Sequence, residues 1–250
     1  YWDCQGRGEF IRLMLRDCGL EFEEELLKHE DLSSWPERKR MVNFGGAYGQ
    51  LPVLHWQDDE DSDEVLVSQI FFCELNFSTA QVLVSQTLSI GMFLNKKLCP
   101  AQMNNPEAEA KAMSLACFVY EELHVPLLKQ MWGVGAQPAQ FFGEQVPRRL
   151  ERLDARVPED GFMLGDAPCW AEYLLFATLE SLSQVLGEGV MSGFGYLNEF
   201  AGRMKARHGI SLWTMEPRRP ISLCRSEDAN IKRIRIECLT APSTPLNDVK

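Results

Sequence analysis

Cysteine thiols are the groups in this chain best suited to covalent or redox chemistry, and its 250 residues contain eight of them. They are scattered, with no Cys-x-x-Cys pair and no cluster of Cys and His at the spacing of a zinc site. No apolar run is long enough to cross a membrane. The pattern predicts no metal, thiols that are mostly reduced and buried, and a cytoplasmic protein. The cysteines are Cys4, Cys18, Cys73, Cys99, Cys117, Cys169, Cys224 and Cys238.

Carboxylates form the other chemical cluster, a run of six acidic residues between positions 58 and 64. The run lacks the glycine and the terminal glutamate of a calcium-binding EF loop, so it is interpreted as the solvated tip of a hairpin. Asp and Glu outnumber Lys and Arg by 36 to 25, giving a net charge of -11 that disfavours nucleic acid and anionic membranes as partners. The six residues are Asp58, Asp59, Glu60, Asp61, Asp63 and Glu64.

The first hundred residues alternate helix and strand patterns. Apolar residues from Glu9 to Cys18 recur at helical spacing, which predicts an amphipathic helix. Residues 20–26 then alternate apolar and acidic side chains, as a half-buried strand does. Ser34 and Glu37 have the spacing of a capping box, which predicts the start of a short helix.

A second strand is predicted at residues 51–54, where Pro52 requires a strand edge, a bulge or a cis turn. The pentapeptide VLVSQ then occurs twice, at residues 65–69 and 82–86, and only the second copy runs into a helical pattern. One five-residue echo is not a solenoid repeat. Residues 70–86 are therefore interpreted as an insertion that duplicates a strand end.

From residue 105 onward, helical apolar periodicity dominates the chain. An α/β half of about a hundred residues therefore precedes an all-helical half. The end of the chain, residues 224–250, alternates basic and apolar residues before a Pro/Ser/Thr stretch. It is predicted to be a peripheral or disordered appendage, with an extra edge strand as the alternative.

Three ordered motifs resemble the cytosolic glutathione S-transferases of the tyrosine type, closest to the sigma class: YWDCQGRGEFIRLMLRDCGLEFEE, SSWPERKRMVNFGGAYGQLPVL and SQTLSIGMFLNKKL. The resemblance implies a glutathione S-transferase fold, with an α/β thioredoxin-like N-terminal domain and an all-α C-terminal domain. The expected boundaries are 1–98 for the glutathione-binding domain with its insertion 70–86, 106–223 for the helical domain, and 224–250 for an appended tail. Members of this family are usually homodimers.

The family's reaction needs the thiol of glutathione as its thiolate. The thiolate is the nucleophile, and a free thiol with a pKa of roughly 8.5 is mostly protonated at neutral pH. A hydrogen-bond donor aimed at the sulfur lowers that pKa. By similarity Tyr1 is this donor, and Arg7, beside the following turn and helix N-terminus, adds positive potential near the sulfur.

Glutathione carries two carboxylates and an amine, so its site needs cations and backbone partners. The resemblance assigns Trp35 and Lys39 to the glycyl end. It aligns Gln50, Leu51 and Pro52 with an element in which a cis bond turns the Leu51 backbone toward the cysteinyl moiety.

Gln86 and Thr87 align with the pair that binds the γ-glutamyl carboxylate at the start of a helix. Gln69 competes with Gln86 for this position because each ends a copy of VLVSQ. Gln86 is favoured, since Thr87 and the helical pattern follow it.

The chain departs from the family pattern at several places. It begins at Tyr1, without the strand that should precede this residue inside the sheet, so a truncated sequence is expected. Cys117 stands where the family usually has an aspartate that reaches across the dimer. Cys169 and Glu172 replace the family's Ser/Thr and Asp helix cap, which predicts an N-cap weaker by about 1 kcal/mol.

The resulting prediction is an enzyme, a glutathione transferase acting in detoxification, with glutathione as co-substrate and a small hydrophobic electrophile as second substrate. Phe10, Tyr120 and Trp213 are candidates for the second pocket. The alternatives are a non-catalytic ligand-binding or crystallin-like member of the fold and a sigma-like prostaglandin isomerase. A redox protein would need a reactive Cys4, which has no Cys-x-x-Cys partner.

Overall fold

The computed structural model describes residues 1–41, 46–57, 66–69, 81–135, 137–224 and 227–240. Within them the strands are β1 (Phe22–Glu24), β2 (Val53–Gln57), β3 (Leu66–Gln69) and β4 (Gln81–Ser85). The α-helices are α1 (Glu9–Asp17), α2 (Trp35–Arg38), α3 (Thr87–Leu98), α4 (Pro106–Val119), α5 (Val125–Met131), α6 (Pro138–Gln140), α7 (Val146–Asp154), α8 (Trp170–Leu186), α9 (Gly195–Lys205), α10 (His208–Met215) and α11 (Glu227–Thr240). The predicted acidic hairpin tip, most of the predicted insertion and the last ten residues of the tail lie outside the described ranges.

The two copies of VLVSQ lie on opposite sides of the same strand. The sheet has the order β1-β3-β2-β4, and β2 is antiparallel to both of its neighbours. His55 of β2 pairs with Ser68 of the first copy on one side and with Leu83 of the second copy on the other. The predicted return strand of the hairpin is thus found as β3.

The start of the chain extends the pairing of β1. β3 is parallel to β1, and Trp2 forms a parallel bridge with Leu27, three residues beyond the end of β1. The Leu27 N–H donates to the Tyr1 carbonyl at 2.7 Å. The position between β1 and β2 in the sheet is held by β3.

Helix α1 joins the two halves of the molecule. The predicted amphipathic helix is confirmed, because Phe10, Ile11 and Met14 are buried and α1 packs on α8. Helix α3 also comes close to the start of α8. A Cβ placed on Gly91 would lie 2.5 Å from the Trp170 ring, so only glycine permits this approach.

The predicted capping box at Ser34 is wrong, although a short helix does begin at Trp35. The Ser34 hydroxyl donates to the Asp31 carbonyl at 3.0 Å and makes no capping bond. The 3₁₀ turn His29–Ser33 competes for this side chain, and a four-residue pattern does not contain that information.

Residues 227–240 of the tail form a docked helix, so both the predicted peripheral or disordered appendage and the alternative edge strand are wrong for this segment. Helix α11 packs on α5, α6 and α8, and Ile234 is fully buried. Asn230 donates to the Met131 carbonyl at 2.8 Å, and Arg235 donates to the Val185 carbonyl at 2.7 Å. The alternation of basic and apolar residues that suggested a strand therefore lies on a helix.

Helix α8 begins at a cap built from a thiol. The Cys169 N–H donates to Glu172 at 2.9 Å, the Met163 N–H donates to the other oxygen of Glu172 at 2.9 Å, and Cys169 itself is fully buried. The reciprocal capping box is present, with sulfur as the weak acceptor.

We expect Cys169→Ser to raise the free energy of unfolding by about 0.5–1 kcal/mol, because oxygen is the better acceptor for the N–H groups of the first turn. Urea denaturation monitored by circular dichroism measures this change. Cys117 has a half-buried side chain on α4, and Cys117→Ser is the matched control, which should not raise the free energy of unfolding. Equal stability of Cys169→Ser and wild type would contradict the role of the cap.

Candidate active site

A cavity of about 540 Å³ lies between the first domain, α5 and the segment 221–224. Five of the predicted site residues line it. They are Tyr1, Arg7, Trp35, Gln50 and Leu51. The structure therefore brings together residues that are distant in sequence but were assigned to one site.

Tyr1 is held tightly at the wall of this cavity. Its side chain is buried. A Cβ placed on Gly6 would lie 2.5 Å from Tyr1 Oη, and one placed on Gly8 would lie 2.7 Å from the Tyr1 ring. The backbone N–H of Arg7 donates to Tyr1 Oη at 2.6 Å. Burial raises the pKa of the Tyr1 phenol, so the hydroxyl keeps its proton and remains a donor.

The cavity is electrostatically suited to an anionic ligand. Arg7 and Lys129 both line it, and none of the described lining residues is Asp or Glu. The basic character was predicted to come from Arg7 and Lys39. Lys39 has an exposed side chain and is not among the lining residues, and Lys129 of α5 is the second cation.

The predicted cis peptide bond is present between Leu51 and Pro52. Gln86, with a φ of 77°, donates from its side chain to Gln50 at 3.3 Å and so lies beside the cavity wall. Thr87 is the buried first residue of α3. Pro52, Gln86 and Thr87 do not themselves line the cavity.

The two competing glutamines follow strands that lie on either side of β2 in the same sheet. Gln69 pairs with Glu24 of β1. Gln86 immediately precedes α3 and contacts Gln50. Only Gln86 thus has the position that the resemblance requires, at the start of a helix.

The apolar side of the cavity comes from residues that the sequence analysis did not single out. Phe10 and Trp213 belong to the hydrophobic core and are not lining residues, and Tyr120 stacks on His124. The cavity is lined instead by Val125 and Leu128 of α5 and by Trp132, which follows α5. Their spacing of three and four residues places them on one face of a helix and could have been recognised in the sequence.

Residues 221–224 complete the wall. They lie at the junction between the predicted helical domain and the predicted tail. No local sequence pattern indicates that this junction returns to the N-terminal turn.

Cys4 does not have the properties of a redox nucleophile. Its side chain is buried, and burial raises the pKa of its thiol to about 12. Within the described parts of the chain, no group of three or more His, Cys, Asp or Glu residues is arranged to hold a metal ion. No helix in those parts is long and apolar enough to span a membrane.

Solved structures share this architecture. A Pi-class glutathione S-transferase from Onchocerca volvulus superposes with a TM-score of 0.64 at 21% identity, over 86% of this chain and 89% of that one. A rat prostaglandin D synthase, abbreviated hPGDS and solved in complex with a quinoline, superposes with a TM-score of 0.63 at 16% identity, over 89% and 97%. The chain thus has the glutathione S-transferase fold.

Sequence comparison points to the same family. Residues 121–216 match the family model of the glutathione S-transferase C-terminal domain. "Glutathione S-transferase P 10" of Caenorhabditis elegans is 22% identical over 85% of this chain and 88% of its own length. In sequence and in fold the chain is thus similar to glutathione S-transferases, the family that its motifs resemble.

Proposed function

We propose that the protein is a glutathione transferase that joins the thiolate of glutathione to small hydrophobic electrophiles. The observation that carries this proposal is Tyr1, whose hydroxyl accepts the Arg7 N–H at 2.6 Å and keeps its own proton at the wall of a cavity with no acidic lining among the described residues.

The chemistry follows from the position of the Tyr1 hydroxyl. The Arg7 N–H holds Oη at the cavity wall, and in the proposed complex the phenolic O–H donates to the sulfur of glutathione. Lowering the thiol pKa by about two units requires roughly 2.7 kcal/mol of preference for the thiolate. One charge-assisted hydrogen bond supplies about 1.5–3 kcal/mol, and the Arg7 side chain adds positive potential. The thiol proton leaves to solvent, the thiolate sulfur forms a bond to the electrophilic carbon, and the leaving group departs with the electron pair of the bond that breaks.

The remaining glutathione contacts are assigned by the resemblance and by position. Trp35 packs edge-on against Trp2 with ring centroids 5.3 Å apart, at the end of the cavity proposed for the glycyl group. The backbone of Leu51 is proposed to pair with the cysteinyl moiety. Lys129 is added to Lys39 as a cation that a glutathione carboxylate could reach.

Retention on glutathione resin together with turnover of a generic aryl halide tests this function. Both are expected. Retention without turnover would favour the non-catalytic, ligand-binding member of the fold, and absence of both would contradict the proposal. Hematopoietic prostaglandin D synthase of Mus musculus is 21% identical over 86% of this chain and 94% of its own length, so prostaglandin D synthesis is the narrower activity to assay beside conjugation.

Gln86 is proposed to bind the γ-glutamyl carboxylate, and Gln69 serves as its matched control. Gln86→Ala should raise the KM for glutathione about tenfold, the loss of roughly one hydrogen bond to a charged group. Gln69→Ala should leave KM unchanged. Steady-state kinetics on both variants measures the difference. A larger effect at Gln69 would assign the site to the first copy of VLVSQ.

We further propose a cytoplasmic homodimer with a role in detoxification. Tyr48 is 70% exposed, and Val82 and Leu83 expose apolar surface on β4 of the same domain. Light scattering coupled to gel filtration should give twice the chain mass of 28.5 kDa. A monomer would contradict the dimer without affecting the transferase proposal.

A further inference from the structure

The turn before Arg7 is hydrogen-bonded to a segment near the C-terminal end of the chain, residues 220–221. The Gln5 N–H donates to the Pro220 carbonyl at 2.8 Å, and the Gly6 N–H donates to the Ile221 carbonyl at 2.9 Å. Gly6 immediately precedes the residue whose N–H reaches Tyr1 Oη. The placement of that donor therefore depends on where the segment 220–221 lies.

A single carboxylate fixes this segment. One oxygen of Glu227 accepts the Ile221 N–H at 2.9 Å, and the other accepts the Ser222 N–H at 2.6 Å and the Ser222 hydroxyl at 2.9 Å. Glu227 is only 8% exposed. These are charge-assisted bonds in a largely dry environment, where they are stronger and more directional than neutral bonds in water.

Glu227 is itself anchored to the body of the protein. It is the first residue of α11, whose Asn230 and Arg235 bond to carbonyls of α5 and α8 and whose Ile234 is fully buried. The carboxylate consequently has a fixed position relative to the helical domain. The tail thus connects that domain to the turn beside Tyr1.

We infer that Glu227 is a positioning residue for Tyr1, an inference that rests on the proposed transferase function. Its carboxylate fixes residues 221–222, these fix Gly6, and Gly6 sets the Arg7 N–H at 2.6 Å from Tyr1 Oη. This chain of bonds holds Oη in one position at the cavity wall, where glutathione is proposed to bind. A loosened turn lets Oη shift and lengthens its bond to the sulfur, so the pKa of the bound thiol rises.

The test compares Glu227→Gln with Asp228→Asn in the full chain. Gln keeps the size of Glu but places an N–H₂ group against backbone donors. Asp228 is the exposed neighbour in the same first helical turn, so both variants lose one negative charge from the helix N-terminus. The readout is the pH dependence of kcat/KM for glutathione with an aryl halide.

Glu227→Gln should shift the pH profile upward by about one unit, which is about a tenfold loss of kcat/KM below the thiol pKa. The KM for glutathione should change little, because the proposed contacts at Trp35, Leu51 and Gln86 are intact. Asp228→Asn should match wild type. This split separates positioning from a general loss of structure, which would lower activity at every pH without moving the profile.

An unshifted profile for Glu227→Gln, or an equal shift for Asp228→Asn, would overturn the inference. If Glu227→Gln does not fold, Ser222→Ala removes one of the three bonds and should give a smaller shift in the same direction; no shift there would overturn it. Wild-type turnover is measured first. Its absence would overturn the proposed function itself, whereas normal turnover with unshifted variants would overturn only the role of Glu227.

Discussion

Tyr1→Phe should lower kcat/KM for conjugation about 25-fold at pH 7 while glutathione binding is retained. The variant loses the donor to the sulfur, so the pKa of the thiol returns by about two units to its ordinary value of roughly 8.5 and the ionised fraction at pH 7 falls from about three quarters to about 3%. The ring itself can stay in place, because its packing against Gly6 and Gly8 does not need the hydroxyl.

The deficit of Tyr1→Phe should shrink as the pH rises. A raised thiol pKa means that more alkaline solution restores the thiolate, so the profiles of variant and wild type converge above that pKa. Kinetics across the pH range, with calorimetric titration of glutathione, measures both properties. Tyr48→Phe, at the 70% exposed tyrosine, is the matched control. A pH-independent loss would show that Tyr1 acts through structure.

The parts of the fold that the sequence predicted are those set by local patterns. Helix α1 follows from its apolar spacing. Pro52 left a strand edge, a bulge or a cis turn open, and the resemblance selected the cis bond that is present. Tyr1, Arg7 and Trp35 were assigned to the site because they lie in the first two of the three ordered motifs. Short-range physics and family spacing agree at these positions.

The place of each VLVSQ copy could not be predicted in the same way. Both copies have the same five residues, so the local sequence allows either one to pair with β2 on either side. What separates them is context: the second copy runs into α3, and the first takes the position between β1 and β2. Strand order is a property of the whole sheet, and a five-residue pattern does not contain it.

The cavity wall was missed for a related reason. Lys129 and Ser222 approach the N-terminal turn only after the helical domain has folded. Ser222 is held by hydrogen bonds to the Glu227 carboxylate, and in the sequence Glu227 is only one acidic residue in a charged tail. Contacts over more than 200 positions are set by packing and leave no periodic trace in the chain.

Arg12→Met should destabilise the fold by about 3–5 kcal/mol, because it leaves the buried carboxylate of Glu9 without its cation, whereas Glu24 keeps a pairing with Arg219 at 3.0 Å. The Arg12 side chain is 4% exposed and pairs with Glu9 at 2.9 Å and with Glu24. It also donates to the Cys4 carbonyl at 2.9 Å, and its guanidinium lies 5.4 Å from the centre of the Tyr1 ring. Although burial opposes its charge, the carboxylates of Glu9 and Glu24 raise the pKa of Arg12. Arg12 is thus held in its charged form next to the ring of the proposed catalytic tyrosine.

Urea denaturation of Arg12→Met and Arg16→Met measures the difference between a buried and an exposed pair on one helix. Arg16 bonds Glu216 at 2.7 Å in solvent, so its loss should cost under about 1 kcal/mol. Adding Glu9→Gln should recover part of the loss, because it removes the buried charge that Arg12 neutralises. A deficit that is unaffected by Glu9→Gln would mean that Arg12 contributes by packing alone.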